Sequence, residues 1–150
     1  MRVVIQRVTE ASVTINGSVY SSIGNGLLIF LGIESNDSLD DIDWLCPKLI
    51  NLRIFSDEKG VMNLSVKDIQ GEFLVISQFT LHALTKKGNR PSYLRAANHK
   101  IAIPLYQKFL AVLAEKSSLM VKAGQFAADM KVSLLNDGPI TILIDTKNRE

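Results

Sequence analysis

The chain has 150 residues, 47% of them hydrophobic, and a formal net charge of +2 at pH 7. This length predicts a single domain, residues 1–150, and so small a net charge does not by itself indicate an anionic partner. The single cysteine, Cys46, excludes an internal disulfide and a cysteine-based zinc site, and the lack of a long apolar run excludes a membrane-spanning helix.

The first part of the chain reads as strands. The strand pattern begins directly after Met1, with no apolar leader. Secretion is therefore not expected, and a cytoplasmic location is expected instead. Alternating residues predict strands at Val3–Val8 and Ala11–Ile15, and Asn16-Gly17 predicts a hairpin turn because both residues tolerate positive φ. The apolar run Gly26–Ile33 predicts a strand that is covered on both faces.

A helix is predicted next, with Asp37 or Ser38 as its N-cap. Apolar residues recur on one face at helical spacing, at Leu39, Ile42, Leu45, Leu49 and Leu52. Pro47 predicts a kink or an early end, since proline removes a backbone hydrogen bond inside a helix. A short strand, Arg53–Phe55, and a turn are expected to follow.

The second half begins with a strand, Glu72–Ser77, and continues through a loop to a helix, Ile101–Lys116, with Pro104 in its first turn. The inward-facing residues of this helix are predicted to be Leu105, Phe109, Leu110 and Leu113. The last strands are predicted at Leu119–Lys122, Lys131–Leu135 and Ile140–Asp145. Together the elements predict an α+β fold, in which two main helices pack on a barrel-like, mostly antiparallel sheet.

Polar side chains follow the apolar strand Glu72–Ser77 where it ends. Ser77, Gln78 and Thr80 stand there with no charged residue among them. Hydroxyl and amide groups at a strand end indicate a site, although they could equally bond nearby backbone groups. His82 comes next and could serve as a base. It has no evident carboxylate partner in the sequence, and an exposed histidine is the more common arrangement.

A basic loop comes after this strand end. No Asp or Glu lies between Phe73 and Ala114, whereas Lys86, Lys87 and Arg90 stand in a segment that also contains glycine and proline. These cations indicate contacts with phosphate groups or, as the alternative, a solvated basic face.

A second candidate segment is NDGPIT, Asn136–Thr141. Asp-Gly and Pro are ordinary turn formers, so the segment predicts a tight turn between two strands. Alternatively, a cis peptide bond at Gly138-Pro139 would point backbone carbonyls in a fixed direction and form a rigid wall that rejects a ligand by shape. The residues alone do not choose between these interpretations.

Taken together, the segments SQFTL (Ser77–Leu81) and NDGPIT resemble the D-aminoacyl-tRNA deacylases. The resemblance runs along essentially the whole chain and in the same order, through VIQRVTEASVTI, INLRIF, KKGNRPS and DMKVSLLNDGP. Any one of these segments is weak evidence, but the ordered set is specific.

This resemblance implies a cytoplasmic homodimer without a membrane association, a metal or an organic cofactor. The implied activity is hydrolysis of the ester that joins a D-amino acid, or mischarged glycine, to the terminal adenosine of tRNA. The implied catalytic residues are Ser77, Gln78, Phe79 and Thr80. Gly138 and Pro139, contributed across the dimer interface, would reject L-aminoacyl-tRNA through a cis Gly-Pro wall.

The resemblance carries weaker implications for other residues. Arg7 would support the Gly-Pro segment, or be an exposed strand arginine. Phe126 and Met130 would line an adenosine pocket, or belong to the core. The residues expected to contact tRNA phosphates are Lys86, Lys87 and Arg90.

The chain departs from the family pattern at Ala127, where glycine is usual, and at Ala123, where threonine is common. A side chain at position 127 would alter the fit if the backbone there approaches adenosine closely.

For the chemistry, backbone N–H groups near Phe79 and Thr80 would stabilise a developing oxyanion. Thr80 has no evident base to activate it. Attack by water, assisted by the vicinal ribose hydroxyl of the substrate, is therefore favoured over a Thr80 acyl-enzyme.

Two other functions remain open. One is a non-catalytic, dimeric nucleic-acid-binding module that uses the basic loop. The other is an editing domain of the threonyl-tRNA synthetase type, which removes L-serine and which is normally fused to a synthetase. Hydrolysis of D-aminoacyl esters separates the deacylase from both.

Overall fold

The computed structural model describes all residues from 1 to 150. The elements in chain order are β1 (Arg2–Ile15), β2 (Ser18–Ile23), β3 (Gly26–Gly32), α1 (Leu39–Asn51), β4 (Phe55–Ser56), β5 (Met62–Leu64), β6 (Glu72–Ser77), a 3₁₀ turn (Phe79–His82), α2 (His99–Ser117), β7 (Val121–Ala123) and β8 (Lys131–Asp145). No helix is long and apolar enough to cross a membrane.

Six of the strands form one sheet around β1, which pairs antiparallel with β2, β3 and β8. The sheet continues from β3 to β6 and from β6 to β7 in parallel pairs. It nearly closes, because Ser21 Oγ on β2 donates a hydrogen bond of 2.9 Å to the Ala123 carbonyl on β7. The predicted α+β, barrel-like fold is confirmed, with a sheet that mixes antiparallel and parallel pairs.

Two predicted strand pairs are each one continuous strand. The segments Val3–Val8 and Ala11–Ile15 are both part of β1. Lys131–Leu135 and Ile140–Asp145 are both part of β8, which pairs with β1 along nearly its whole length. The prediction of a turn that joins two strands there was wrong, since tertiary pairing to the long β1 keeps the chain running in one direction.

The helices follow the predicted pattern with local differences. Ser38 caps α1, and its amide donates to the Asp41 carboxylate at 2.8 Å. Pro47 does not end α1, which runs on to Asn51. Leu39 was predicted to face inward, but it is exposed.

The second helix begins earlier than predicted. Asn98 Oδ1 accepts a hydrogen bond from the Ile101 amide at 3.2 Å, so α2 starts at His99 and Pro104 lies in its second turn instead of its first. Both helices pack against one face of the sheet, where Leu45, Leu49 and Phe109 are fully buried in the main core cluster. Burying such side chains contributes about 1.5–3 kcal/mol each.

Candidate active site

The polar strand end lies where β6 leaves the sheet. Residues Phe73–Ile76 are buried between neighbouring strands, which explains their unbroken apolar character. The Gln78 amide makes the last hydrogen bond to β3, to the Leu31 carbonyl at 2.8 Å. The chain then turns away from the sheet into the 3₁₀ turn, so Ser77 and Gln78 sit half-buried at the end of the ladder.

The first amides of the 3₁₀ turn are free. The N–H groups of Phe79 and Thr80 have no intrahelical acceptor at this position, and no other hydrogen bond in the chain uses them. The Gln78 Nε2 group donates to Thr80 Oγ1 at 2.5 Å, which fixes both side chains relative to the turn. Two adjacent free donors at a strand end can bind an oxyanion.

A cavity of about 840 Å³ opens beside this turn. Its wall contains Ser77, Gln78 and Phe79 on one side and Phe126 and Met130 on the other. These residues, predicted separately from the two halves of the chain, therefore share one cavity. Thr80 is not part of the wall and reaches it only through its hydrogen bond with Gln78.

The apolar side of the cavity is a layer of rings. Phe126 meets His99 and Tyr106 edge-on, each at a centroid distance of 5.6 Å. Burial raises the pKa of Tyr106, whose hydroxyl donates to the Val75 carbonyl at 2.8 Å. Phe126 is half-exposed and faces the cavity, so it is available to a planar ligand.

On the same side of the cavity, the Met130 side chain packs over Gly124. A Cβ at Gly124 would lie within 2.4 Å of the Met130 sulfur, so only glycine allows that side chain to lie down against the backbone. Ala127, at the same wall, has φ of 62°, in the left-handed region that favours glycine. The departure from glycine noted in the sequence therefore falls where the backbone conformation does favour glycine.

A buried contact between a histidine and a carboxylate behind the 3₁₀ turn was not predicted. His82 is 2% exposed, and its Nδ1 atom lies 2.8 Å from Glu34 Oε1, although the pair does not meet hydrogen-bond geometry. The same carboxylate accepts a hydrogen bond from Arg95 Nη2 at 2.5 Å. The expectation that His82 is exposed and lacks a carboxylate was wrong, because the partner comes from the end of β3.

Glu34 joins the 3₁₀ turn to the segment that precedes α2. Glu34 contacts His82 at the end of the 3₁₀ turn and Arg95 in the segment that leads to α2. An antiparallel bridge between Glu34 and Ala96 adds backbone contact at the same place. The only signal in the sequence was an isolated Glu after a buried strand, and that signal is too common to be specific.

The Gly-Pro segment is a bulge in β8. Gln6 pairs with Thr141 and Val8 with Asn136, so the residues between Asn136 and Thr141 loop out opposite Arg7. The Gly138-Pro139 peptide bond is cis, as expected, and Gly138 has φ of 126°. Both residues are exposed and neither lines the cavity of its own chain.

Arg7 is buried under this bulge, not exposed. Its Nε donates to the Asp137 carbonyl at 3.1 Å and lies 3.0 Å from the Asp137 carboxylate. Its Nη1 donates to the Ile54 carbonyl at 2.6 Å, and Asn136 Nδ2 donates to the Ile140 carbonyl at 2.9 Å. The bulge is therefore held from below while its outer surface stays open.

The basic loop connects the 3₁₀ turn to Tyr93, and both Phe79 in that turn and Tyr93 line the cavity. Leu84 and Ser92 exchange two backbone hydrogen bonds, of 2.8 and 3.0 Å, and so close the loop between them. Lys86, Lys87 and Arg90 are all exposed on it. No group of three or more His, Cys, Asp or Glu side chains converges so as to hold a metal ion.

Comparison with known proteins matches the sequence of this chain to a known family. The sequence profile of the family described as D-Tyr-tRNA(Tyr) deacylase matches residues 4–145. The D-aminoacyl-tRNA deacylase of Bacteroides fragilis is 63% identical over 150 residues, which cover 100% of both chains.

Two solved structures are similar to the whole fold. One, described as c-Myc DNA Unwinding Element Binding Protein, is 41% identical with a TM-score of 0.91 over 97% of this chain and 98% of that chain. The other, described as a probable eukaryotic D-amino acid tRNA deacylase, is 15% identical with a TM-score of 0.83 over 95% of this chain and 97% of that chain. At that identity the second likeness supports the fold alone.

Proposed function

The chain belongs to the D-Tyr-tRNA(Tyr) deacylase family, and from this premise we propose that it hydrolyses the ester between a D-amino acid and the terminal adenosine of tRNA. The observation that carries this proposal is the pair of free amides at Phe79 and Thr80 beside a cavity with an aromatic wall. Such a site can stabilise an oxyanion next to a surface on which a nucleobase can stack. Aminoacyl-tRNA is a cytoplasmic substrate, so the enzyme would act in the cytoplasm.

The reaction needs only modest help from side chains. Water attacks the ester carbonyl, the oxygen of that carbonyl takes up the negative charge, and the amides of Phe79 and Thr80 stabilise it. Collapse of the intermediate releases the amino acid and leaves the ribose oxygen protonated. The vicinal ribose hydroxyl of the substrate assists the water, and Ser77 and Gln78 orient the ester.

The side chain of Thr80 has a positioning role in this mechanism, while its backbone amide contacts the oxyanion. Its hydroxyl accepts a hydrogen bond from the Gln78 amide, a donor that cannot remove a proton from it. The nearest buried histidine, His82, is paired with Glu34 and makes no hydrogen bond to Thr80. A nucleophile without a base is weak, so a Thr80 acyl-enzyme is not favoured.

Two further surfaces would hold the tRNA end. Phe126 and Met130 would enclose the terminal adenine, since an aromatic face stacks on any base. The exposed cations of the basic loop, Lys86, Lys87 and Arg90, would contact backbone phosphates at the rim.

Handedness would be selected by a second copy of the chain. Gly138 and Pro139 are exposed and do not line their own cavity, so they are available to a partner's cavity. In the homodimer we propose, their backbone carbonyls would occupy the space that the side chain of an L-amino acid needs. A glycyl ester has no side chain and would pass the same wall.

The outer edge of β8 supports this association. The strand pairs only with β1, and Leu135 and Leu143 are exposed on it. A long unpaired edge with apolar side chains offers a surface for pairing with another chain. The dimer would cover this edge and bring the bulge to the partner's site.

A deacylation assay with D-tyrosyl-tRNA, L-tyrosyl-tRNA and glycyl-tRNA tests the proposal. The D-tyrosyl and glycyl esters should be hydrolysed and the L-tyrosyl ester left intact. Equal hydrolysis of the D- and L-esters would contradict the handedness proposal, whereas no hydrolysis of any ester would contradict the deacylase itself.

Mixing two inactive variants tests the cross-subunit site. Gly138→Ala damages the wall and Gln78→Ala damages the cavity, so a mixed dimer would contain one intact composite site. Activity should reappear when the two are unfolded and refolded together. No recovery, with mixed dimers demonstrated by mass spectrometry, would place the Gly-Pro wall and the cavity in the same subunit.

Binding to nucleic acid without hydrolysis is the second candidate. The similar structure described as a DNA unwinding element binding protein favours it, as does the basic loop. In that case the protein would bind uncharged nucleic acid with a strong salt dependence and leave D-aminoacyl esters intact. The deacylation assay therefore separates the two candidates.

A further inference from the structure

Two large aromatic side chains are exposed at the mouth of the cavity. Phe79 is 56% exposed and Tyr93 is 40% exposed. Their ring centroids are 5.0 Å apart at an interplanar angle of 76°, so the rings hold each other in an edge-to-face pair. Both line the cavity on the side away from the core. A fixed aromatic pair with this much open surface is suited to bind a partner.

The surroundings of this pair are basic. Tyr93 directly follows Ser92, where the loop that carries the exposed side chains of Lys86, Lys87 and Arg90 closes. Arg95 is anchored on Glu34 and its side chain still remains 47% exposed.

The segment that carries Phe79, Tyr93 and the basic loop has no negative charge of its own. No acidic residue lies between Phe73 and Ala114 in the chain. The acidic residue on the cavity wall, Asp129, is paired with Lys131 at 3.0 Å.

Aromatic rings beside cations favour one class of ligand. A protein partner of a basic patch would be acidic, and acidic side chains gain little from two exposed rings. A single-stranded nucleic acid uses both features, because its bases stack on the rings and its phosphates meet the cations.

We propose that Phe79 and Tyr93 form a stacking subsite for the nucleotide that precedes the terminal adenosine of the RNA strand. The inference rests on the proposed function, which puts the adenosine between Phe126 and Met130. The strand would then leave the cavity past Tyr93 and toward the basic loop. The subsite would extend recognition beyond the ester to the single-stranded end of the tRNA.

The test uses ligands of two lengths and a matched pair of tyrosines. Binding of fluorescein-labelled cytidylyl-cytidylyl-adenosine and of labelled adenosine is measured by anisotropy. Hydrolysis is measured in parallel on D-tyrosyl-tRNA and on 3′-O-D-tyrosyl-adenosine. Tyr93→Ala removes the ring and Tyr93→Phe keeps it. Tyr20→Ala is the control, since Tyr20 is an exposed tyrosine on β2 outside the cavity wall.

Tyr93→Ala should weaken binding of the trinucleotide about tenfold and change adenosine binding by less than about twofold. The same selectivity should appear in kcat/KM, with a loss on D-tyrosyl-tRNA and little change on the adenosine ester. Tyr93→Phe and Tyr20→Ala should behave like the unmodified chain.

Equal losses on the long and the short ligand would overturn the subsite, because the ring would then support the cavity itself. No loss on either ligand would overturn it as well. Selective binding of the trinucleotide without hydrolysis of any ester would contradict the deacylase and leave the stacking subsite standing.

Discussion

Two regions of this molecule treat their polar groups in opposite ways. Near the chain termini, Asp37 and Asp41 are almost fully buried, and their carboxylates are surrounded by donors. At the end of β6, Ser77 and Gln78 are half-buried beside amides that have no partner. The first region is a closed network and the second is an open one.

The closed network satisfies each of its members. Asp37 accepts from the Met1 amino group and from the Glu34 amide, at 2.5 and 2.7 Å. Asp41 accepts from Thr146 Oγ1 at 2.6 Å and from Lys147 Nζ at 2.8 Å. Desolvation by itself would raise the pKa of Asp41, but these hydrogen bonds outweigh it and lower the pKa to about 2.

The open region contains hydroxyl, side-chain amide and backbone N–H groups, and the N–H groups of Phe79 and Thr80 have no acceptor in the chain. The cavity lies beside these free donors, since Phe79 lines it, so a ligand bound there can supply the missing acceptor. The difference teaches that burial and polarity alone do not mark a site. What distinguishes the two regions is whether the hydrogen bonds are completed within the chain.

The largest expected effect on activity comes from a change in the Gly-Pro bulge of β8, whose inner side is hydrogen-bonded and whose outer side is exposed. Gly138→Ala should reduce deacylation more than about a hundredfold while the fold is retained. A Cβ at Gly138 would lie 2.9 Å from Ile140 Cγ1 and 3.1 Å from Arg7 Nη2, and φ there is 126°. Strain at such a position costs about 1–3 kcal/mol and would displace the bulge. The deacylation rate on D-tyrosyl-tRNA measures the loss of activity, and circular dichroism checks that the fold is retained.

Gly60→Ala is the control for this change, since Gly60 also has a positive φ, of 74°, but has no atom within 4 Å of the added Cβ. It should leave the rate unchanged. A Gly138→Ala enzyme that keeps full activity and selectivity would show that the bulge plays no part in the site.

The closed network should respond in stability and not in activity. Asp41→Asn should lower the free energy of unfolding by about 2 kcal/mol, the value that corresponds to the lowered pKa. Urea unfolding at pH 7 measures it, and deacylation below the unfolding transition should be unchanged. Asp43→Asn is the control, because Asp43 lies on the same helix in an exposed pair with Lys116.

The same carboxylate predicts a pH dependence. Its pKa is lower in the folded state than in the unfolded state, so its contribution is complete above about pH 4 and is lost as the pH falls toward 2. Unfolding curves measured between those limits should converge for the unmodified chain and Asp41→Asn. Parallel curves with a constant gap would contradict the assignment.

The open region should respond in activity and not in stability. Thr80→Ala should lower turnover by no more than about tenfold, because it removes one hydrogen bond to Gln78. Thr80→Ser should restore the lost activity. Complete loss of turnover in Thr80→Ala, with binding of a non-hydrolysable D-aminoacyl-adenosine analogue retained, would make Thr80 the nucleophile and refute the ribose-assisted mechanism.

The smallest effect is expected at the cavity wall. Ala127→Gly should raise the free energy of unfolding by up to about 1 kcal/mol, since φ of 62° costs glycine nothing. Ala128→Gly is the control, because its backbone φ is not positive and glycine there should destabilise. Thermal unfolding of both variants checks the sign. Destabilisation by Ala127→Gly would mean that the Cβ packs more favourably than the backbone is strained.

Patterns within single segments were sufficient for much of the fold. The apolar strands Gly26–Gly32 and Glu72–Ser77 and the Asn16-Gly17 hairpin lie where the sequence predicts them. Each depends on neighbours along the chain, through side-chain alternation or through residues that tolerate a positive φ. The position of the polar residues after β6 follows from the same local pattern.

Other features depend on partners far away in the sequence. Arg7 meets Asp137 across 130 residues, and that contact with the pairing to β1 makes the Gly-Pro segment a bulge and not a turn. His82 is buried because Glu34 and the end of β3 cover it. No periodicity within either segment reports such a neighbour.

The sequence by itself therefore determined both helices and most of the segments that are strands, and which short motifs carry polar groups. Tertiary structure alone decided that Phe126 and Met130 share a cavity with Ser77 and Gln78, and that Gly138 and Pro139 lie outside it. The physical reason is that secondary structure is set largely by backbone and side-chain preferences a few residues apart. A cavity exists only after distant segments have packed together and left some donors without an acceptor.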